Sequence, residues 1–323
     1  MQVEVINRTL NKEMETQCVA VKKNGETCTN KRKDGKYCGV HKIRDTQSEV
    51  RDKQSGNEKS ENIRACITIT FCDVCENHVG MQNTGILSHR GLLVKELVAI
   101  GDNYRKKGYE IELIRLDKVI KPNVPEGIVI EKAAVLVVRG FLGKNGLPSN
   151  KNMMKEEMSL DWDKKAFMKG RVVNKIARHN LCYSEKDQEP DYENKKGRII
   201  SFDNLPLLKK VRNEISTMNK LTVNLNAEGN LYYDTNKCSI KFHGDYERKI
   251  VIALRLGASE DLPLKYAWFH RTEPVSEVYS INLNAGDLYI MSAKAVGQDW
   301  KNSSQATLRH AVNAKFTVKK AKK

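Results

Sequence analysis

From Leu221 to the C-terminus the chain is written in short extended runs, and this restricts the fold more than any other feature. TVNLN, NLYYD, KIVIALRL, LKYAWFH, VYSINLN, GDLYIMS, ATLRHA and AKFTVKK make eight runs in about a hundred residues, separated by Gly, Asn, Asp and Pro. Strands this short and this evenly punctuated close into a sandwich or barrel, whereas βαβ units need a helix between strands. The expected class is α+β, with an all-β part over 221–320. Neither a Walker A phosphate loop nor a dinucleotide-binding glycine fingerprint after a strand is present.

Upstream the composition changes twice. Residues 1–43 are basic and cysteine-bearing, and 44–62, RDTQSEVRDKQSGNEKSEN, holds one large apolar residue, Val50, as a solvated linker would. Over 63–150 the strand-like ITITF, YEIELIRL and AAVLVVRGF surround a helical pattern in GLLVKELVAIGDNYRKKG, so a small α/β layer is expected in front of the domain at 151–323. Two further helices are predicted in KEEMSLDWDKKAFMKG and LPLLKKVRNEIS.

The formal net charge of +16 favours a polyanionic partner, nucleic acid before a membrane surface. The opening MQVEVINRTLNKEMETQ lacks the apolar run of a secretory signal, and no stretch is apolar for long enough to span a bilayer. An intracellular protein, in cytoplasm or nucleus, is therefore expected. Its eight cysteines should be reduced thiols or metal ligands rather than disulfides.

Two patterns point to metals. In Cys18, Cys28, Cys38 and His41 the spacing is C-x9-C-x9-C-x2-H, a donor set that can close a tetrahedral zinc site. A segment this short buries little core, so bound zinc would supply most of its folding energy. Separately, His243-Gly244-Asp245 places two ligands on alternate residues of an extended segment, hence on one side of it. With His310 from the later run ATLRHA, two imidazoles and one carboxylate can hold one face of an iron(II) ion and leave the other positions open. Cys72, Cys75 and His78 form a weaker C-x2-C-x2-H pattern beside a strand, and buried packing is the expected role there.

The context of the second pattern resembles the AlkB family of iron(II)- and 2-oxoglutarate-dependent dioxygenases over roughly 170–320. NLYYDTNKCSIKFHGDYER resembles that family's passage from an Asn-x-Tyr pair into His-x-Asp-x-Glu, KIVIALRLGAS the strand after it, and INLNAGDLYIMS the strand before the distal histidine. RVVNKIARHNLCYSEKDQEPDYENKKGRI, about 170–200, is similar to the family's substrate lid, and KAVGQDWK…TLRHA looks like a branch from large DNA viruses. The resemblance implies a double-stranded β-helix in which His243, Asp245 and His310 hold iron. It implies Tyr233 and Asn230 as co-substrate residues and Lys315, in AKFTVKK, as partner of the far carboxylate of 2-oxoglutarate. Lysine can form that ion pair but lacks the two-pronged fork of arginine.

The implied reaction couples oxidative decarboxylation of 2-oxoglutarate to hydroxylation of a C–H bond; an N-methyl carbon then leaves as formaldehyde. Arg178, Tyr183 and Tyr192 of the lid, basic groups beside rings, are the expected contacts to a base of DNA or RNA, as in repair of an alkylated strand. Hydroxylation or demethylation of a protein is the competing reading, and a non-catalytic nucleic-acid binder on the same fold is the third.

Overall fold

The computed structural model describes residues 64–312 together with Cys28. Most of the expected zinc module, the linker and the final run AKFTVKK with Lys315 lie outside the described residues. In chain order the elements are β1 (Cys66–Cys72), β2 (Val74–Glu76), β3 (Asn83–Gly85), α1 (Val94–Lys106), β4 (Glu110–Arg115), α2 (Leu116–Val119), β5 (Ala134–Arg139) and α3 (Asn150–Met158). There follow β6 (Lys165–Met168), β7 (Arg171–Asn174), β8 (His179–Ser184), β9 (Ile199–Ser201), α4 (Pro206–Ser216), β10 (Asn226–Tyr232) and β11 (Ile240–His243). The last are β12 (Ile252–Gly257), β13 (Leu264–His270), β14 (Glu273–Pro274), β15 (Tyr279–Ile281), β16 (Leu288–Met291), α5 (Ala293–Val296) and β17 (Thr307–Val312).

The class is α+β, mostly strands. One sheet of eight strands runs β4-β5-β16-β12-β1-β10-β8-β9, and a smaller one runs β11-β17-β13-β14 with β15 beside β13. Alternation along each central strand sorts the side chains into two cores. Ile67, Ile69 and Phe71 of β1 and Ile252, Leu254 and Leu256 of β12 join Leu97, Ile100 and Tyr104 of α1 and Leu208, Val211 and Ile215 of α4. On the other face Cys66, Ala253, Tyr289 and Met291 meet Leu264, Tyr266, Trp268 and Leu308 of the smaller sheet. Helices thus cover one face of the large sheet and the small sheet covers the other. Each fully buried Leu, Ile or Phe in these layers contributes roughly 1.5–3 kcal/mol.

The helices follow from local chemistry. In α1 the buried Leu97, Ile100, Gly101 and Tyr104 recur at helical spacing, and the Glu96 carboxylate accepts from the Leu93 N–H at its start. Pro206 opens α4, where a missing N–H costs no hydrogen bond.

Residues 63–150 do not form a layer in front of the later domain. β1, β4 and β5 are strands of the large sheet itself, and β1 lies between β12 and β10, antiparallel to both. Its uninterrupted apolar and β-branched text, buried at every position, is that of a central strand.

Glu157 of α3 is fully buried, and its carboxyl accepts from the Tyr183 hydroxyl at 2.5 Å. Burial raises its pKa from 4.5 to about 8, against the lowering effect of the tyrosine bond. A carboxyl with a raised folded-state pKa costs no stability while both states are protonated, and costs progressively more as pH rises from about 4.5 towards 8. Glu157→Gln is accordingly expected to stabilise the protein by a few kcal/mol, on the order set by that shift, at pH 8 and by little near pH 4.5. Thermal melts at the two pH values check this; equal gains at both would contradict it.

Candidate metal centre

His243 closes β11 and is the direct register partner of His310 on β17, so pairing of two strands brings the two imidazoles together, ring centroids 4.5 Å apart. The chain then turns through Gly244, and the Asp245 N–H donates to the Val296 carbonyl of α5 at 3.0 Å. This delivers the Asp245 carboxylate between the rings: Oδ1 stands 3.4 Å from His243 Nε2 and 3.5 Å from His310 Nε2. One donor atom from each residue lies within 4.8 Å of the others, and no second such group of three occurs among the described residues.

The donor set fits a divalent metal ion. His243 Nδ1 is 2.8 Å from the Lys241 carbonyl, which can only accept, so that nitrogen carries the proton and the lone pair of Nε2 faces the triad. Burial disfavours ionisation of Asp245, but its interactions with His310 and the Arg248 guanidinium outweigh that and hold the carboxyl well below its ordinary range. Burial, then the neighbouring His243, pushes the His310 pKa down, opposed by Asp245. A neutral imidazole beside an ionised carboxylate is the protonation state that metal binding requires.

Glycine is obligatory at the turn. A Cβ on Gly244 would stand 2.0 Å from the Gly297 carbonyl oxygen, and Gly297 itself has φ +75° with its own Cβ position 2.6 Å from the Leu308 carbonyl oxygen. The obstacle is backbone on both sides and cannot swing away. We expect Gly244→Ala to cost about 1–3 kcal/mol of stability and to weaken Mn(II) binding more than tenfold. Melts with a metal titration check both values; unchanged metal affinity would contradict this reading of the turn.

Behind the triad Arg248, nearly fully buried, holds Glu228 at 2.5 Å and Glu247 at 2.6 Å, and reaches within 3.9 Å of Asp245 Oδ2. Its Nη1 also lies 3.4 Å from Cys72 Sγ. Cys72, Cys75 and Cys182 cluster with Ile199 in a small buried core, and His78 turns its Nδ1 to the Val79 carbonyl instead of joining them.

The remaining expected residues fall differently. Tyr233 donates its hydroxyl to the Ile176 carbonyl and stacks on His179, while Tyr232, one residue earlier, enters the inner core with Tyr266 and Tyr289. The register of β10 decides this: Cys66 pairs with Tyr232, so the alternate residues Glu228, Asn230 and Tyr232 share the inner face. Asn230 is on that face, with Oδ1 accepting from Arg178 and from Asn180 and Nδ2 donating to Glu228.

Tyr183 is not available to a substrate. It points from β8 into the helix-side core and is fully buried. The Tyr192 hydroxyl is held by Asp163 at 2.7 Å. Their segment, about 170–200, does not stand apart as the expected lid, because β8 and β9 belong to the large sheet. Arg178 does line a pocket of 260 Å³ under the β6–β7 hairpin, with His78, Met168, Lys175, Ile176 and Asn180. Burial lowers the Lys175 ammonium to about 8.

Cys28 is buried, while Cys18, Cys38, His41 and Lys315 lie outside the described residues. No helix among the described residues is long and apolar enough to cross a membrane. Sequence reasoning missed Arg248 and Arg255; for Arg255 the available signal was a charge inside the otherwise apolar strand text IVIALRL, while Arg248 lies in the charged run DYERK and gave no such signal.

By sequence the chain belongs to a family with a viral member. That relative is the uncharacterized protein R156 of Acanthamoeba polyphaga mimivirus, 45% identical over 260 residues, 80% of this chain and 99% of that protein. No protein-family model matches the sequence.

Proposed function

We propose that the chain is an iron(II)- and 2-oxoglutarate-dependent dioxygenase of AlkB-like type, acting on a base in nucleic acid, with the two facing sheets forming a double-stranded β-helix. The observation that carries this is the convergence of His243, Asp245 and His310 from β11, the following turn and β17. His243 Nε2, the Asp245 carboxylate and His310 Nε2 would hold the metal. Iron(II) there, with 2-oxoglutarate and oxygen, supplies hydroxylation of a C–H bond, with succinate as co-product.

The chain's own residues have separable roles. The Lys241 carbonyl fixes the His243 tautomer, and Arg248 orients the Asp245 carboxylate from behind. A buried His310 keeps one wall of the site dry. The substrate side is set by the β6–β7 hairpin and the strand after it. From Lys164 to Ser184 the sequence has six Lys or Arg and no Asp or Glu, and Lys164, Lys165, Lys169 and Arg171 are exposed. Such a surface draws in a phosphate backbone, and the adjoining pocket beside Lys175 and Arg178 would receive a base taken out of its stack. Cys18, Cys28, Cys38 and His41 remain the proposed zinc ligands of the N-terminal segment.

The test is succinate formation from 2-oxoglutarate by anaerobically iron-loaded protein, with and without methylated single-stranded DNA or RNA. Turnover that rises with the methylated strand supports both chemistry and substrate. Turnover indifferent to nucleic acid transfers the substrate assignment to protein. None at all, with iron bound, overturns the enzyme reading.

A further inference from the structure

On β12 the odd and even positions differ sharply. Ile252, Leu254 and Leu256 face the helices, which sends Ala253 and Arg255 to the opposite face, between the two sheets. Arg255 is 0% exposed there. Its Nη1 meets the Cys66 thiol, at 3.6 Å, and its Nε and Nη2 have no hydrogen-bond partner. Three other buried cations hold carboxylates: Arg212 holds Glu185, Arg248 holds Glu228, and Lys294 holds Glu131 and Asp299. Arg255 has no carboxylate within ion-pair distance among the described residues. A guanidinium does not shed its proton, so its charge stays in place with part of its donor fork unused.

The neighbours of Arg255 extend the same feature. Register pairing sets Arg255 beside Thr68, Thr68 beside Asn230 and Asn230 beside Asn180, a polar row across four strands. In that row Thr68 Oγ1 and Asn180 Oδ1 are buried without partners, as is the Tyr266 hydroxyl facing them from the small sheet. The Tyr266 ring lies 5.9 Å from that of His310. Tyr289 is within electrostatic reach of both Arg255 and Asp245. Buried polar groups are almost always satisfied, so several orphans converging on one interior region mark the place of a polar ligand. The unpaired fork specifies its chemistry: a carboxylate can take two parallel N–H bonds from it.

We infer that Arg255, with Thr68 beside it, is the seat for a carboxylate of a small dicarboxylic acid whose other end lies towards His243, Asp245 and His310. The choice of 2-oxoglutarate as that acid rests on the oxygenase reading; the anion site does not. The assignment replaces Lys315 in this role and puts the anchor on the strand that follows the His243–Asp245 turn.

The experiment is calorimetric titration of full-length Mn(II)-loaded protein with 2-oxoglutarate and, in a second arm, with succinate, for wild type, Arg255→Met and Arg255→Lys. Thermal melts of each variant without ligand run alongside. Loss of two charge-assisted bonds predicts 2-oxoglutarate binding weaker by about 10- to 100-fold in Arg255→Met, with an intermediate loss in Arg255→Lys. Mn(II) affinity should be unchanged. Because Met removes an unpaired buried charge, the ligand-free melting temperature should hold or rise, whereas a merely structural arginine would lower it. Equal 2-oxoglutarate affinity in wild type and Arg255→Met overturns the proposal and leaves the oxygenase reading standing. A ligand-free melting temperature that falls in both variants also overturns it. Succinate binding that needs Arg255, with no binding of 2-oxoglutarate, keeps the anion site and removes the oxygenase reading. Binding of neither acid by wild type ends both.

Discussion

Asp245→Ala or His243→Ala is expected to reduce iron-dependent turnover by at least about a hundredfold and to abolish tight Fe(II) or Mn(II) binding at this site, since a three-ligand site that loses one ligand retains only two. The fold should survive. Asp245 sits in a turn and His243 is partly exposed at a strand end, so neither truncation opens a large cavity. Metal content by elemental analysis and succinate release, measured on the same preparations, check the expectation. The zinc content proposed for Cys18, Cys28, Cys38 and His41 should stay near one per chain in both variants, which separates loss of one site from general unfolding. Retained turnover in both variants would sink the triad.

Arg248→Ala should be the most destabilising single substitution considered. It strips the guanidinium from Glu228, whose side chain is as deeply buried as that of Arg248 itself, and leaves a carboxylate stranded among Cys72, Asn230 and the inner sheet face. Breaking a buried pair from one side typically costs about 3–5 kcal/mol. Asp245 also loses the cation behind it, so metal affinity should fall as well. The combined Arg248→Met, Glu228→Gln variant removes both charges and should recover much of the stability. Chemical denaturation of the single and double variants reads the coupling directly; additive losses would show that the two residues do not support each other.

The clustering of His243, Asp245 and His310 could be read from the sequence because it depends on one local rule, alternation along a strand through His243-Gly244-Asp245, and on one distant histidine in a strand-like run. What failed to show itself depended on register. Tyr233 and Tyr232 are adjacent in NLYYD, and only the pairing of β10 with β1 decides which enters the inner core. Tyr183 looked like a stacking platform in a basic segment, but strand alternation on β8 turns it to the helices, where Glu157 takes its hydroxyl. Arg255 was hidden in IVIALRL for the opposite reason: its neighbours are so apolar that the segment is read as a buried strand and the single cation passes unremarked. TVNLN, expected as a strand, is a 3-10 turn leading into β10. The α+β class and most of the later strands among the described residues were legible. That ITITF, nearly two hundred residues ahead of β12 in sequence, belongs between two of them was not, because nothing local encodes a long-range strand pairing.

That placement of β1 has a consequence for how the molecule comes into being. The sheet order makes β1 the sole link between the block β4-β5-β16-β12 and the block β10-β8-β9. During synthesis β1 emerges among the first described residues and then waits, its apolar face uncovered, until the chain has been made past residue 257 and both neighbours exist. Loops that long must be closed before the pairing rewards them, so folding should be slow, late and exposed to aggregation in the nascent chain. For the same reason a fragment beginning near residue 151 would carry His243, Asp245 and His310 yet lack the strand that joins its two halves, and should not acquire a native structure.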